Sequence, residues 1–160
     1  MSKELEKIIH YKNMKKKNNC DVSYGQKGSW IYSEVVRDHF FNPRNLLLDE
    51  TKYKFDSEGQ IGSMACGDIM KIWIKVNSKT NKIIECKWRT FGCASAIAST
   101  SMLSLMVTEK GGMNINKAMK IKPEQIVERL GGLPDRKFHC SVLGQEALCV
   151  AIKKYLNKQK

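Results

Sequence analysis

Two alternating segments separated by six turn-forming residues limit this chain more than any other feature. In residues 70–76, Met70, Ile72, Ile74 and Val76 fall on one side and Lys71, Trp73 and Lys75 on the other. Alternation with period two marks a half-buried strand. Residues 83–91 alternate again and place Ile84, Cys86 and Trp88 together. Between them, residues 77–82 read NSKTNK, a turn composition. Strands this close in sequence pair as an antiparallel hairpin. A short Gly-rich third strand, Gln60-Ile61-Gly62-Ser63, precedes them.

Helical patterns dominate the rest. Ser33 is suited to cap a helix EVVRDHFF that ends at Asn42-Pro43. After the strands, residues 94–108 carry Ala94, Ile97, Ala98, Ser101 and Leu105 on a narrow stripe, and Gly111-Gly112 stops them. Asn114 can cap a short helix through Met119. Pro123 suits the first turn of PEQIVERL, which Gly131-Gly132 closes. A last helix is expected over about 141–156, with Leu143, Ala147, Val150, Ala151 and Leu156 facing the core. Strands first and helices afterwards imply α+β: a small three-stranded, mainly antiparallel sheet packed with about five helices.

At 160 residues with 42% apolar content, one domain with a sizeable core is expected. Residues 1–29 differ in kind. They contain KNMKKKNN and few large apolar side chains, and read as a flexible basic arm ahead of a compact domain at 30–160. The arm lacks Arg and holds Glu4 and Glu6, which argues against a mitochondrial transit peptide. Apolar runs are too short for a membrane span. The formal charge of +12 favours acidic partners. No helix-turn-helix, RNA-recognition or finger pattern is present, so nucleic acid is not expected.

Of six cysteines, three sit where structure changes. Cys66 lies in MACGD between the first two strands, Cys93 in FGCASA before the long helix, and Cys140 in FHCSV at the start of the last one. Cys93 and Cys140 near helix N-termini gain thiolate character from the dipole. Gly67 and Gly92 allow tight turns and close approach beside them. Asp68 and His139 stand next to this set. Three thiolates, a carboxylate and an imidazole suit zinc or an iron–sulfur cluster. The spacing alone leaves this open against cysteines scattered as core fillers, the role expected of Cys86 and Cys149. Cys20 reads as a tail thiol, and His10 and His39 as surface or packing residues. A Cys–His hydrolase fits poorly, because such pairs usually come from separate segments.

Taken together, YSEVVRDHFFNPRN, ACGDIMKIWIKV, WRTFGCASAIASTSML and LGGLP with KFHCSVLGQEAL resemble the iron–sulfur cluster assembly scaffolds of the IscU and NifU N-terminal type. The resemblance implies a non-enzymatic scaffold. It receives sulfur from a cysteine desulfurase, binds iron, builds a transient [2Fe-2S] cluster with an electron donor such as ferredoxin, and passes it to acceptor proteins. The family's ligand positions fall on Cys66, Cys93 and Cys140, with Asp68 or His139 completing the shell. Cys140 is then the persulfide acceptor. Zinc can occupy the same ligands when iron is absent.

The alternative within the same ligand set is a zinc-bound sulfur acceptor that stimulates a desulfurase. His139 and the short separation of Cys93 from Cys140 favour the cluster-building branch. The absence of a further domain after Lys160 fits a stand-alone scaffold, either a monomer or a dimer formed on cluster binding. The expected compartment is a prokaryotic cytoplasm, or the mitochondrial matrix or a related organelle in a eukaryote. In much of the family, Leu-Pro-Pro-Val-Lys before the last Cys is recognised by an Hsp70-type chaperone. Here Leu133, Pro134 and Lys137 are kept, but Asp135 and Arg136 replace the second Pro and the Val. Loss of Pro makes the peptide less extended, and the two charges resist entry into an apolar groove. Both changes argue against chaperone-assisted release.

Overall fold

A computed structural model of the chain describes residues 32–64 and 67–159. The expected basic arm, Cys20, His10 and Cys66 lie outside the described residues. Within them, helix α1 (Glu34–Phe41) is followed by strands β1 (Ser57–Gly62), β2 (Ile69–Asn77) and β3 (Lys82–Phe91). Helix α2 (Ala94–Thr108), strand β4 (Met113–Asn114) and helices α3 (Ile115–Ala118), α4 (Pro123–Arg129) and α5 (His139–Lys158) complete the order. The α+β expectation holds, with four strands rather than three. The sheet runs β1-β2-β3-β4, antiparallel throughout. β4 is two residues long, too short to leave a periodic trace in sequence.

The caps form as their residues dictate. Ser33 Oγ accepts from Val36 N–H at 3.1 Å, and Asn114 accepts from Asn116 N–H at 2.9 Å. Each satisfies an otherwise orphaned helix donor. α4 begins at Pro123 and ends before Gly131, whose φ of 76° suits glycine.

The hairpin departs from simple alternation at one point. Lys75 pairs with Glu85 but Val76 pairs with Ile83, leaving Ile84 as an extra residue. This β-bulge turns Ile83 into the core and leaves Ile84 48% exposed, the reverse of the expected placement. Cys86 and Trp88 face inward as expected.

One face of the sheet packs on α2 and α5. Met70, Ile72 and Ile74 meet Met102, Leu103 and Leu148 in that layer. α2 is buried nearly all round, not on one stripe, because the sheet, α1 and α5 each claim a side. The expected stripe members Ala94, Ile97 and Leu105 are in fact among its less buried positions. Its hydroxyls tolerate this by bonding to the helix's own carbonyls, as Thr100 does to Ala96 O at 2.8 Å. Others tie down the loop after α1. Ser101 Oγ accepts from Arg44 N–H at 2.8 Å, while Arg44 O accepts from Trp88 Nε1 at 2.7 Å. α5 lies directly on β1: a Cβ on Gly59 would stand 2.1 Å from Ala147 O and 2.5 Å from Ala151 N. Only glycine permits that approach, and Ser57 Oγ fastens it by donating to Ala151 O at 2.8 Å.

Candidate functional site

Three element ends converge at one end of the sheet. Asp68 precedes β2; its carbonyl accepts from Ser63 N–H at 2.8 Å, and Gly67 before it has a φ of 70°. Cys93 is the N-cap residue of α2. Cys140 lies in the first turn of α5, following a 3-10 turn at Asp135–Lys137. Elements that pack on one another thus bring together residues 72 positions apart.

Cys140 Sγ is the hub. It lies 3.6 Å from Cys93 Sγ, 3.7 Å from Asp68 Oδ2 and 3.6 Å from His139 Nε2. Asp68, Cys93 and Cys140 have ligand atoms all within 4.8 Å of one another. His139 meets that group at Cys140. Asp68 and Cys140 are buried, and the group meets solvent at half-buried Cys93 and His139. Of the expected ligands, Asp68, Cys93, Cys140 and His139 are therefore assembled, while Cys66 lies outside the described residues.

The two thiols divide their acidity. Cys93 is held down to about 5, first by the hydrogen bond from Cys140, then by the Ala96 amide and the Lys137 ammonium, against burial and Asp68. Cys140 is pushed far up by donating that hydrogen bond, by burial and by the negative charges of Cys93 and Asp68. Their closeness thus pushes the two thiols apart in acidity, Cys93 downward and Cys140 upward, because two negative charges this near each other repel.

The donor set fits a thiophilic metal. Two thiolates on one tetrahedral ion at the usual zinc–sulfur distance stand about 3.8 Å apart. The observed 3.6 Å needs almost no adjustment. Soft sulfur gives affinity, and the harder Asp68 oxygen moderates it.

Two details escaped the sequence. Gly92 makes room for Asp68, since a Cβ there would lie 3.0 Å from the carboxylate. Lys137 acts electrostatically on both thiols, a role signalled only by its position two residues before His139. The other two cysteines among the described residues behave as fillers: Cys86 is buried and pushed up to about 12, and half-buried Cys149 receives a bond from Gln145 Nε2 at 3.1 Å. His39 is a packing residue, 2% exposed and bonded to Ser101 Oγ at 2.8 Å.

The family model of the NifU-like N-terminal domain matches residues 31–160. This chain belongs to the NifU-like N-terminal domain family. Within that family, it is 48% identical over 131 residues to the iron–sulfur cluster assembly scaffold protein IscU of Aquifex aeolicus, spanning 82% of this chain and 80% of that protein. It is 46% identical over 128 residues to the iron–sulfur cluster assembly scaffold protein IscU 1 of Archaeoglobus fulgidus, spanning 80% and 78%. The crystal structure of the N-terminal part of a nitrogen-fixing NifU-like protein from Brucella abortus superposes with a TM-score of 0.57 at 14% identity, covering 78% of this chain and 94% of that one. That likeness supports the fold of the family.

Proposed function

We propose that this chain is a scaffold on which iron–sulfur clusters are assembled and handed on, not an enzyme in the ordinary sense. The observation that carries the reading is the Cys140 sulfur with Cys93, Asp68 and His139 all within 3.7 Å of it. IscU scaffolds among its relatives point the same way. Sulfur arrives from a cysteine desulfurase as a persulfide on Cys140. Iron and electrons, the latter from a donor such as ferredoxin, complete a transient [2Fe-2S] cluster as cargo. Cys66, Cys93, Cys140 and either Asp68 or His139 hold it until an acceptor protein takes it. Zinc takes the same place when iron is absent. No helix among the described residues is long and apolar enough to cross a membrane. A prokaryotic cytoplasm, or the mitochondrial matrix or a related organelle in a eukaryote, suits this work.

Anaerobic reconstitution with iron, sulfide and a reductant tests the reading. A thiolate-to-iron chromophore that moves to an apo-ferredoxin is expected. A colourless protein that only accelerates desulfurase turnover would replace it with the zinc-bound sulfur acceptor.

A further inference from the structure

The sheet face turned away from α2 and α5 has two unlike halves. In the half remote from the site, Trp73 is 1% exposed although it points away from the helical layer. Residues 53–55 fold over it: the Phe55 ring meets Trp73 edge-on at 6.5 Å, and Tyr53 stacks on Phe55 at 6.4 Å. Two of the cations in this half are neutralised. Lys71 pairs with Glu50 at 3.1 Å and Glu58 at 3.3 Å, and Lys75 pairs with Glu85 at 2.8 Å.

Among the described residues, nothing folds over the half beside the site in this way. Ile69 and Phe91 stand opposite each other across β2 and β3, and are 46% and 79% exposed. Arg89 comes next on the same face, exposed and opposite Lys71, and half-buried Lys87, opposite Trp73, already belongs to the covered half. Neither makes an ion pair among the described residues. Ile69 directly follows Asp68, and Phe91 precedes Cys93 by two residues. This half therefore borders the mouth of the cargo site.

An exposed aromatic with an aliphatic neighbour, flanked by a guanidinium, has the anatomy of an interface hot spot. Arg89, which has no ion pair among the described residues, selects carboxylates, and the +12 charge of the chain steers acidic proteins toward it. We propose that this half of the outer sheet face is the docking surface for an acidic protein that accepts the cargo, with Phe91 and Ile69 as its apolar anchor and Arg89 fixing its orientation. The inference rests on the scaffold reading above and adds the place and charge of the acceptor. Docked there, the acceptor's own ligands reach the site at Cys93.

An acidic apo-[2Fe-2S] ferredoxin is the probe. Its binding to the cluster-free chain is measured by calorimetry at two salt concentrations, and its rate of cluster uptake by absorption. Arg89→Glu and Phe91→Ala are each expected to weaken binding by about tenfold and slow uptake in parallel. Arg89→Glu also flattens the salt dependence. Both variants keep the melting temperature, and the chromophore keeps its intensity and its lifetime without acceptor. Lys153→Glu, an equal charge change on the exposed side of α5, leaves binding unchanged. The proposal is overturned if Lys153→Glu weakens binding as much as Arg89→Glu, if neither site variant alters it, or if the unmutated chain does not bind the probe. Absence of any chromophore in the unmutated chain counts instead against the scaffold reading; the binding measurement needs no cluster and still decides the docking surface.

Discussion

Gly92 lacks the one atom that would press on Asp68: a Cβ there would lie 3.0 Å from the carboxylate and 3.0 Å from the Ala96 Cβ. The carboxylate keeps its place among the thiols because position 92 has no side chain. Gly92→Ala should cost about 1 kcal/mol in stability yet weaken metal binding by moving Asp68. A cobalt titration followed by thiolate absorption checks this, with affinity expected to fall by more than the modest shift in denaturation midpoint accounts for. Asp68→Ala removes the hard ligand outright. It should lengthen the cluster's lifetime and slow its transfer, and an unchanged lifetime by visible absorption would count against that role.

The split in acidity between Cys93 and Cys140 predicts unequal reactivity in the metal-free chain. Cys93 should alkylate with a midpoint near pH 5, because the Cys140 hydrogen bond holds its thiolate there. In the isolated chain Cys140, buried and pushed up, should react more slowly across the neutral range, so sulfur transfer to it would need a docked desulfurase to open the site. Cys140→Ala removes the hydrogen bond and should move the Cys93 midpoint upward. Mass spectrometry of alkylated peptides across pH reads all three.

His39 predicts acid sensitivity. Burial brings its imidazole down from 6.5 to about 4, helped by the Arg44 and Arg129 guanidiniums and opposed by the Asp38 carboxylate. The unfolded chain therefore takes up a proton on this ring before the folded chain does. Its contribution is complete above about pH 6.5 and is lost as pH falls toward 4, a change of the order of 3 kcal/mol. Urea midpoints measured between pH 7 and 4 should show that slope, and His39→Gln should flatten it.

Gly59 predicts a fold defect that reaches the site. A Cβ at 2.1 Å from Ala147 O collides with helix backbone, which cannot rotate aside. Gly59→Ala should cost about 3 kcal/mol. Where the variant still folds, α5 must shift on β1, carrying Cys140 away from Cys93. Circular dichroism with urea measures the first effect, and loss of cobalt absorption in the folded fraction measures the second.

The segment Leu133–Lys137 should be a poor ligand for an Hsp70-type chaperone. Pro134 leads into a 3-10 turn in which Lys137 N–H donates to Pro134 O at 2.7 Å. An extended-peptide groove would have to unwind this turn and also desolvate Asp135 and Arg136. Fluorescence binding of the five-residue peptide should be weak, and Asp135→Pro with Arg136→Val should tighten it. Tight binding of the unaltered peptide would restore chaperone-assisted release.

Local rules reached far into this fold. Ser33, Asn114 and Pro123 mark helix starts where they are found, and residues 94–108 form a helix over the expected span. The hairpin register was legible until the bulge at Ile84, where one inserted residue reverses a face and period two carries no warning. Trp73 was placed on the outer face correctly, but its burial depends on Tyr53 and Phe55 folding back, a tertiary event. In the site, residue types and element ends pointed to Asp68, Cys93, Cys140 and His139. The division of acidity between the two thiols was not readable, because it belongs to a pair separated by 47 positions and not to either helix start.

Asp68 stands before β2, Cys93 caps α2 and Cys140 belongs to α5. Each ligand in this group comes from a different element, so the group exists only while those elements stay packed. Cargo affinity and conformational stability are consequently one linked quantity. Metal at a hundred times its dissociation constant would add about 2.7 kcal/mol to the folded state. By the same reciprocity, a partner that eases α5 away from α2 expels the cargo without ever touching it.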